Sequence, residues 1–110
     1  MGRFADLSLQ EIVLGRDVLL LVSGGERHIG ASSTAYWVDG QVRVHTCAVP
    51  GHKEHLLSEA LALRAAAALE RTVTLIMGIH YEQLGRDEIG AVSLKAAALV
   101  DDYLTRAAHG

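Results

Sequence analysis

Three short segments of the sequence place a histidine close to a glycine. They are residues 24–30 (GGERHIG), 51–55 (GHKEH) and 78–82 (GIHYE). A neutral imidazole is a common ligand of transition metals, and glycine lets a backbone or a ligand approach closely. The sequence shows neither a paired set of catalytic carboxylates nor a clear nucleophile with its base. The pattern therefore indicates a binding site assembled from separated parts of the chain.

The segment from Gly51 to His55 comes directly before a long stretch that is free of helix breakers. Backbone N–H groups at the start of a helix have no partner inside that helix, and the helix dipole favours an anion there. Lys53 adds a positive charge. These features predict a phosphate site, and a solvated, charged helix start is the alternative interpretation.

The histidines and one carboxylate form a candidate metal site. We expect His52 and His80 to bind a divalent ion, with His28 and Glu54 nearby. Glu54 serves either as a ligand or as the hydrogen-bond partner of one. His55 follows Glu54, and its role as a ligand stays open. The alternative for each histidine is an ordinary surface or boundary residue.

Hydrophobic patterning predicts the elements that position these segments. Alternation predicts strands at 4–13, 29–38 and 41–49, with a tight turn at Asp39-Gly40, and a continuous apolar run predicts a strand at 18–22. Helical spacing is found at 53–70 and 87–106, and a strand that is apolar on both faces lies between them at 72–79. The order ββββαβα predicts an α+β fold, with a mostly antiparallel sheet of about five strands and two helices on one face.

Composition narrows the class of protein. The 110 residues predict a single domain over 1–110, and the net charge of −3 without a basic cluster argues against nucleic-acid binding. No run approaches the roughly 20 apolar residues of a membrane span. The single cysteine, Cys47, and the absence of a signal-peptide pattern predict a cytoplasmic protein. Alanine-rich helix faces predict a homodimer.

The three segments together resemble a known family. His28-Ile29-Gly30, Gly51-His52-Lys53-Glu54 and Gly78-Ile79-His80 occur in the order and spacing of the LpdD-like prenylated-flavin chaperones, also known as the small accessory subunits of gallate-type decarboxylases. The resemblance runs from about Val18 to Leu99. It implies a non-catalytic protein that holds reduced prenylated FMN, the product of a flavin prenyltransferase, and delivers it to a UbiD-type decarboxylase.

The resemblance also implies which residues contact the cofactor. A divalent metal bound by the histidines would contact the flavin phosphate. The predicted metal ligands are His28, His52, Glu54 and His80, and the predicted cofactor contacts are His28, Gly30, Gly51, His52, Lys53, His80 and Tyr81. Tyr36, Trp37 and Tyr81 are the candidate aromatic contacts for the ring. Two alternatives remain, a structural subunit of a decarboxylase complex and a small metal-dependent enzyme with Glu54 or Glu82 as general base.

Overall fold

The computed structural model describes residues 2–109, and its elements follow the predicted order. They are β1 (Ser8–Leu14), β2 (Asp17–Gly25), β3 (Ala31–Val38), β4 (Gln41–Ala48), α1 (His55–Leu69), β5 (Val73–His80) and α2 (Arg86–His109). The predicted turn between β3 and β4 is confirmed, because Asp39 and Gly40 both have positive φ, 52° and 77°. Helix α1 ends at Leu69, and Glu70 follows in the left-handed conformation with its N–H donating to the carbonyl of Ala66.

The five strands form one sheet in the order β1-β2-β5-β3-β4. Three of the four neighbouring pairs are antiparallel, which confirms the predicted α+β class and the mostly antiparallel sheet. The fourth pair, β2 with β5, is parallel. A parallel pair needs a crossover connection, and α1 is the last element of that crossover, bringing the chain from the edge strand β4 back to the centre. The strand predicted to be apolar on both faces is β5, and it is the central strand of the sheet.

Both helices pack on one face of the sheet. Alternate residues of the central strands supply the sheet side of the core, which includes Val18, Leu20, Val22, Ala35, Val73, Leu75 and Met77. Helix α1 contributes Leu61, Ala62, Ala65 and Ala66, and α2 contributes Val92, Ala96, Val100 and Tyr103. Small alanine side chains let the helices approach the sheet closely. Four of the helix alanines, Ala62, Ala65, Ala66 and Ala96, are thus buried within the chain itself.

None of the helices in the described part of the chain is both long and apolar enough to cross a membrane.

The segment before β1 is fastened to the ends of two central strands. The carboxylate of Asp6 accepts hydrogen bonds from the Tyr81 hydroxyl at 2.7 Å and from the Gly25 N–H at 2.8 Å. These two donors hold the pKa of Asp6 below its ordinary value. Partial burial and the hydrogen bond to Asp6 raise the pKa of Tyr81 to about 12. The phenol ring also packs edge-on against Phe4, with ring centroids 4.8 Å apart.

The hydrogen-bonded pair of Asp6 and Tyr81 should stabilise the fold over a defined pH range. The lowered pKa of Asp6 means that its contribution is present above about pH 4 and is lost as the pH falls through the folded-state pKa. The raised pKa of Tyr81 means that its contribution is present below about pH 10 and is lost as the pH rises towards 12. We therefore expect Tyr81→Phe to lower the urea midpoint at pH 7 and to lower it progressively less as the pH falls through the folded-state pKa of Asp6.

The matched control is Tyr36→Phe, because the Tyr36 hydroxyl makes no hydrogen bond within residues 2–109. Equal urea midpoints for wild type and Tyr81→Phe at pH 7 would show that the hydrogen bond between Asp6 and Tyr81 contributes nothing to the stability of the fold.

Candidate functional site

The three histidine segments meet at one end of the sheet. Gly25, the last residue of β2, lies opposite His80, the last residue of β5. Ala31, the first residue of β3, pairs with both Met77 of β5 and Ala48 of β4. The segments 26–30 and 49–54 therefore start or end at the same edge as His80. The topology brings together residues that are more than 20 positions apart in the sequence.

Three glycines allow this close approach. A Cβ at Gly78 would fall on the carbonyl oxygen of His28, and a Cβ at Gly25 would fall on that of His80. A Cβ at Gly30 would fall on the carboxylate of Glu54. The backbone is then joined by hydrogen bonds from Gly30 N–H to Met77 O at 2.9 Å and from Glu26 N–H to His80 O at 3.0 Å. Close packing therefore explains why glycine occupies these three positions.

His28, His52 and Glu54 form the half-buried centre of the site, here called the His–Glu group. One potential ligand atom from each lies within 4.8 Å of the others. His28 Nε2 is 2.9 Å from Glu54 Oε2, and His52 Nδ1 is 3.7 Å from Glu54 Oε1. The two imidazole rings are 4.7 Å apart between centroids. Atoms that bind one cation at about 2.0–2.2 Å lie roughly 2.8–3.4 Å from one another, so the group needs only a small adjustment to fit a metal.

Glu54 is the hub of this group. It occupies the N-cap position of α1, but its side chain makes no cap hydrogen bond to the helix. The carboxylate instead accepts a hydrogen bond from the Ile79 N–H, which is 3.2 Å away, and its Oε2 lies 2.9 Å from His28 Nε2. The first turn of α1, which begins at His55, contains no acidic residue. Its N–H groups are consequently left for another acceptor.

The hydrogen bonds of His28 define its role. Nδ1 lies 2.9 Å from the carbonyl oxygen of Glu26, and a carbonyl can only accept, so Nδ1 carries a hydrogen. Nε2 faces the carboxylate of Glu54, with 2.9 Å between Nε2 and Oε2. A metal ion at this place would bind Nε2, while the carbonyl of Glu26 would keep the ring oriented.

His80 lies next to this group but belongs to a different one. Its ring centroid is 6.4 Å from that of His28, and its Nε2 is 3.3 Å from Glu82 Oε1. Together with Glu26 and Glu82 it forms a second set of potential ligand atoms, all of them exposed. The four ligands suggested by the sequence are thus divided between two adjacent sets, three in the first and one in the second.

A cavity opens beside the His–Glu group, between the start of α1, the end of β5 and the start of α2. Its volume is about 350 Å³. One side is polar and carries Gly51, His52, Lys53, Glu54 and His80; the other is largely apolar and consists of Leu57, Met77, Ile79, Leu84, Ile89, Val92 and Ser93. A ligand with a charged end and a flat apolar end fits such a division.

The start of α1 differs from the expectation. The helix begins at His55 rather than near Lys53, so Gly51, His52 and Lys53 lie in the turn before it. Gly51 has a φ of 87°, and the His52 N–H already donates to the Val49 carbonyl at 3.1 Å. The donors available to an anion are accordingly in the first turn of the helix, two residues later than the sequence suggested. Lys53 remains on the wall of the cavity.

The suggested aromatic contacts lie away from the cavity. Tyr81 turns towards Asp6 and Phe4, and the indole N–H of Trp37 donates to the Ala66 carbonyl at 3.0 Å. Tyr36 stacks on His45 on the face of the sheet that has no helices. Among the described residues, the cavity wall has no aromatic ring except the imidazoles of His52 and His80.

Sequence reasoning missed the contribution of α2 to the cavity. Helical spacing places Ile89 and Val92 on one apolar stripe, and Val92 is indeed buried. Ile89, however, is 53% exposed at the mouth of the cavity. Helical spacing identifies a face, but it does not distinguish a core contact from a cavity wall. His55, for which the sequence left the role open, lies outside the His–Glu group, and its buried Nδ1 has no hydrogen-bond partner in residues 2–109.

Comparison with known proteins identifies the family of this chain. The model of the prenylated flavin chaperone LpdD-like domain matches residues 3–108. The chain belongs to this family. It is also 34% identical over 93 residues to Protein LpdD of Lactiplantibacillus plantarum (strain ATCC BAA-793 / NCIMB 8826 / WCFS1), a match that covers 82% of this chain. The chain spans 65% of the length of that relative.

The close contact at Gly78 gives a prediction about stability. We expect Gly78→Ala to lower the free energy of unfolding by at least about 2 kcal/mol, because its Cβ collides with backbone rather than with a flexible side chain. The matched control is Gly90→Ala in α2, where a Cβ meets nothing within 4 Å. That change should stabilise the protein by about 0.5–1 kcal/mol. Urea unfolding of both variants tests this, and similar stabilities would contradict the packing role of Gly78.

Proposed function

We propose that this chain binds reduced prenylated FMN and hands it to a UbiD-type decarboxylase, with a divalent metal ion held by His28, His52 and Glu54. The observation that carries the proposal is the continuity of the site. His52 and Glu54 belong to the His–Glu group and also line the apolar cavity. A single ligand can therefore place a charged group at the metal and a ring system in the cavity.

Four features support a phosphate at the polar end. The first turn of α1 contributes free N–H donors and the positive end of the helix dipole. Lys53 contributes a positive charge at the cavity wall. A bound metal would supply a larger local charge than either, and it would be placed by side chains whose orientation is already set. Several groups would therefore act together to neutralise the charge of a phosphate.

The apolar side of the cavity supports the ring. Leu57, Ile79 and Ile89 present flexible aliphatic surface to it. A volume of about 350 Å³ is at the lower end of the range for small-molecule sites. We propose that the cavity holds part of the prenylated ring and that the rest stays at the open mouth. This would leave an edge of the cofactor available to an acceptor enzyme.

Delivery requires an affinity that allows both capture and release. A dissociation constant around the micromolar level, about −8 kcal/mol, meets both needs. We propose a non-catalytic role for the chain, acting as a homodimer that receives its cargo from a flavin prenyltransferase.

The metal site can be tested without the flavin. We expect His28→Ala, His52→Ala and Glu54→Gln each to weaken Zn²⁺ binding by at least about tenfold, because each removes a ligand or the group that orients one. His80→Ala should weaken it less, since His80 belongs to the exposed set. Calorimetric titration of the purified variants measures this.

The matched control for these titrations is His109→Ala, an exposed histidine at the end of α2. Mn²⁺ should be titrated in parallel, because nitrogen and oxygen ligands suit several ions. Undiminished binding in both His28→Ala and His52→Ala would remove the proposed site. A loss confined to His80→Ala would place the metal in the exposed set instead.

The cargo is tested by anaerobic titration with reduced prenylated FMN, followed by activation of an apo-UbiD-type decarboxylase. We expect wild type to retain the flavin after desalting and to increase activation. Lys53→Ala should weaken retention moderately, because it removes one charge among several contributors, and His52→Ala should weaken it more.

Lys95→Ala is the control for a lost lysine, since Lys95 Nζ donates to the carbonyl of Phe4 away from the cavity. Failure of wild type to retain the flavin would overturn the proposed cargo. Metal binding without flavin binding would then favour a structural subunit, and turnover of a substrate by the metal-loaded protein would favour an enzyme.

A further inference from the structure

Within residues 2–109 the sheet has a second face that no helix covers, here called the open face. Both helices pack on the opposite side, and the segment before β1 is fastened to Tyr81, Gly25 and Lys95. Because side chains alternate along a strand, the register identifies the residues of the open face. They are Ser8, Gln10, Ile12 and Leu14 of β1, Asp17, Leu19, Leu21 and Ser23 of β2, Thr74, Ile76 and Gly78 of β5, Ser32, Thr34, Tyr36 and Val38 of β3, and Gln41, Arg43, His45 and Cys47 of β4.

The middle of this face is uncharged. Leu19, Leu21 and Ile76 form an apolar strip across the two central strands. Beside it, the hydroxyls of Thr34 and Thr74 are hydrogen-bonded to each other at 2.7 Å, which leaves little unsatisfied polarity. The charged side chains by register are Asp17, at the start of β2, and Arg43, on an edge strand. Arg27, which follows β2, also reaches this face, because its Nε–H donates to the Oγ of Ser23 at 3.1 Å. All three lie at the margins of the open face.

The central strands are of a kind that is normally covered on both faces. β2 and β5 are parallel neighbours at the middle of the sheet, and both are apolar on each side. Parallel strands occur mainly where both faces are buried, whereas an antiparallel sheet tolerates water on one face. The described part of the chain packs its helices against one face and covers the other only at Gly78, where the backbone of His28 lies over it. The apolar residues in the middle of the open face therefore require a partner surface.

The size of the open face matches what a dimer needs. Five strands of 7 to 9 residues at spacings of about 4.8 Å and 3.3 Å give a flat face of roughly 550 Å². Two such faces cover on the order of 1,100 Å² in projection, and the relief of the side chains makes the accessible area larger. Specific protein interfaces begin at about 1,200 Å² in total.

We infer that two copies of this chain associate face to face through the open face. A second copy is the occupant that these observations favour, because the surface has an uncharged centre, few peripheral charges and a flat shape that can pack against itself as in a sandwich of two sheets. The cavity beside the His–Glu group is lined by residues of both helices, which pack on the opposite side of the sheet. The cavity therefore stays open in each copy.

Sedimentation equilibrium of wild type and charge-introducing variants tests the interface. We expect wild type to be a dimer at about 20 µM, a concentration of the same order as the dissociation constant of a modestly stable dimer. Leu21→Asp and Thr34→Asp should each raise the dimer dissociation constant by at least about 100-fold, because each dimer would bury two unpaired charges. Thr34→Asp is the second variant because its position already carries a polar side chain and tolerates polarity in the monomer.

The matched control is Leu94→Asp, on the exposed surface of α2, where the leucine side chain is 75% exposed. It should remain a dimer. Circular dichroism and urea unfolding verify that each variant is folded. Zn²⁺ titration of the monomeric variants should give the wild-type affinity, which separates failure of the interface from failure of the metal site.

Three outcomes would overturn the inference. Wild type could be monomeric at this concentration, or the dimer could survive in folded Leu21→Asp and Thr34→Asp. Alternatively, Leu94→Asp could dissociate while the open-face variants do not, which would place the contact on the helices.

Discussion

Strand β5 enters the sheet between β2 and β3 and runs parallel to β2, and the other features of the molecule depend on this placement. The parallel register puts Gly25 opposite His80. Because β4 ends at the same edge, the turn that leads into α1 arrives there as well. Were β5 paired at the outer edge, the segments around His28 and His52 would have no reason to meet those of His80. The crossover through α1 thus creates the site as well as the fold.

The site is held by contacts that leave little freedom. Gly25, Gly30 and Gly78 allow backbone and carboxylate to lie where a methyl group would collide. Glu54 is anchored by His28 and by the Ile79 N–H, so its position does not depend on a ligand. Preorganised ligands lower the cost of ordering on binding. A carrier needs the same feature, since a site that must fold around its cargo binds and releases slowly.

The two faces of the sheet serve different purposes. On one face, small alanines and larger aliphatic residues make a core between helices and strands, with the cavity at its end. On the other, Leu19, Leu21 and Ile76 lie on an uncharged, half-buried surface. Residues 2–109 form two helices, and both are needed to close the first face. No helix of the described residues covers the second face.

Local and short-range features could be determined from the sequence by itself. The alternation in β4, the positive φ at Asp39-Gly40, the apolar strand at 73–80 and the order of the elements follow from backbone sterics and hydrophobic periodicity. The three glycine-flanked histidine segments also indicated the family and one shared site. The tertiary structure alone decided which side chains meet: His28, His52 and Glu54 in one group, His80 in another, and Tyr81 turned towards Asp6. Those distances depend on strand register and on the direction of each side chain, and both are set by contacts between residues far apart in the chain.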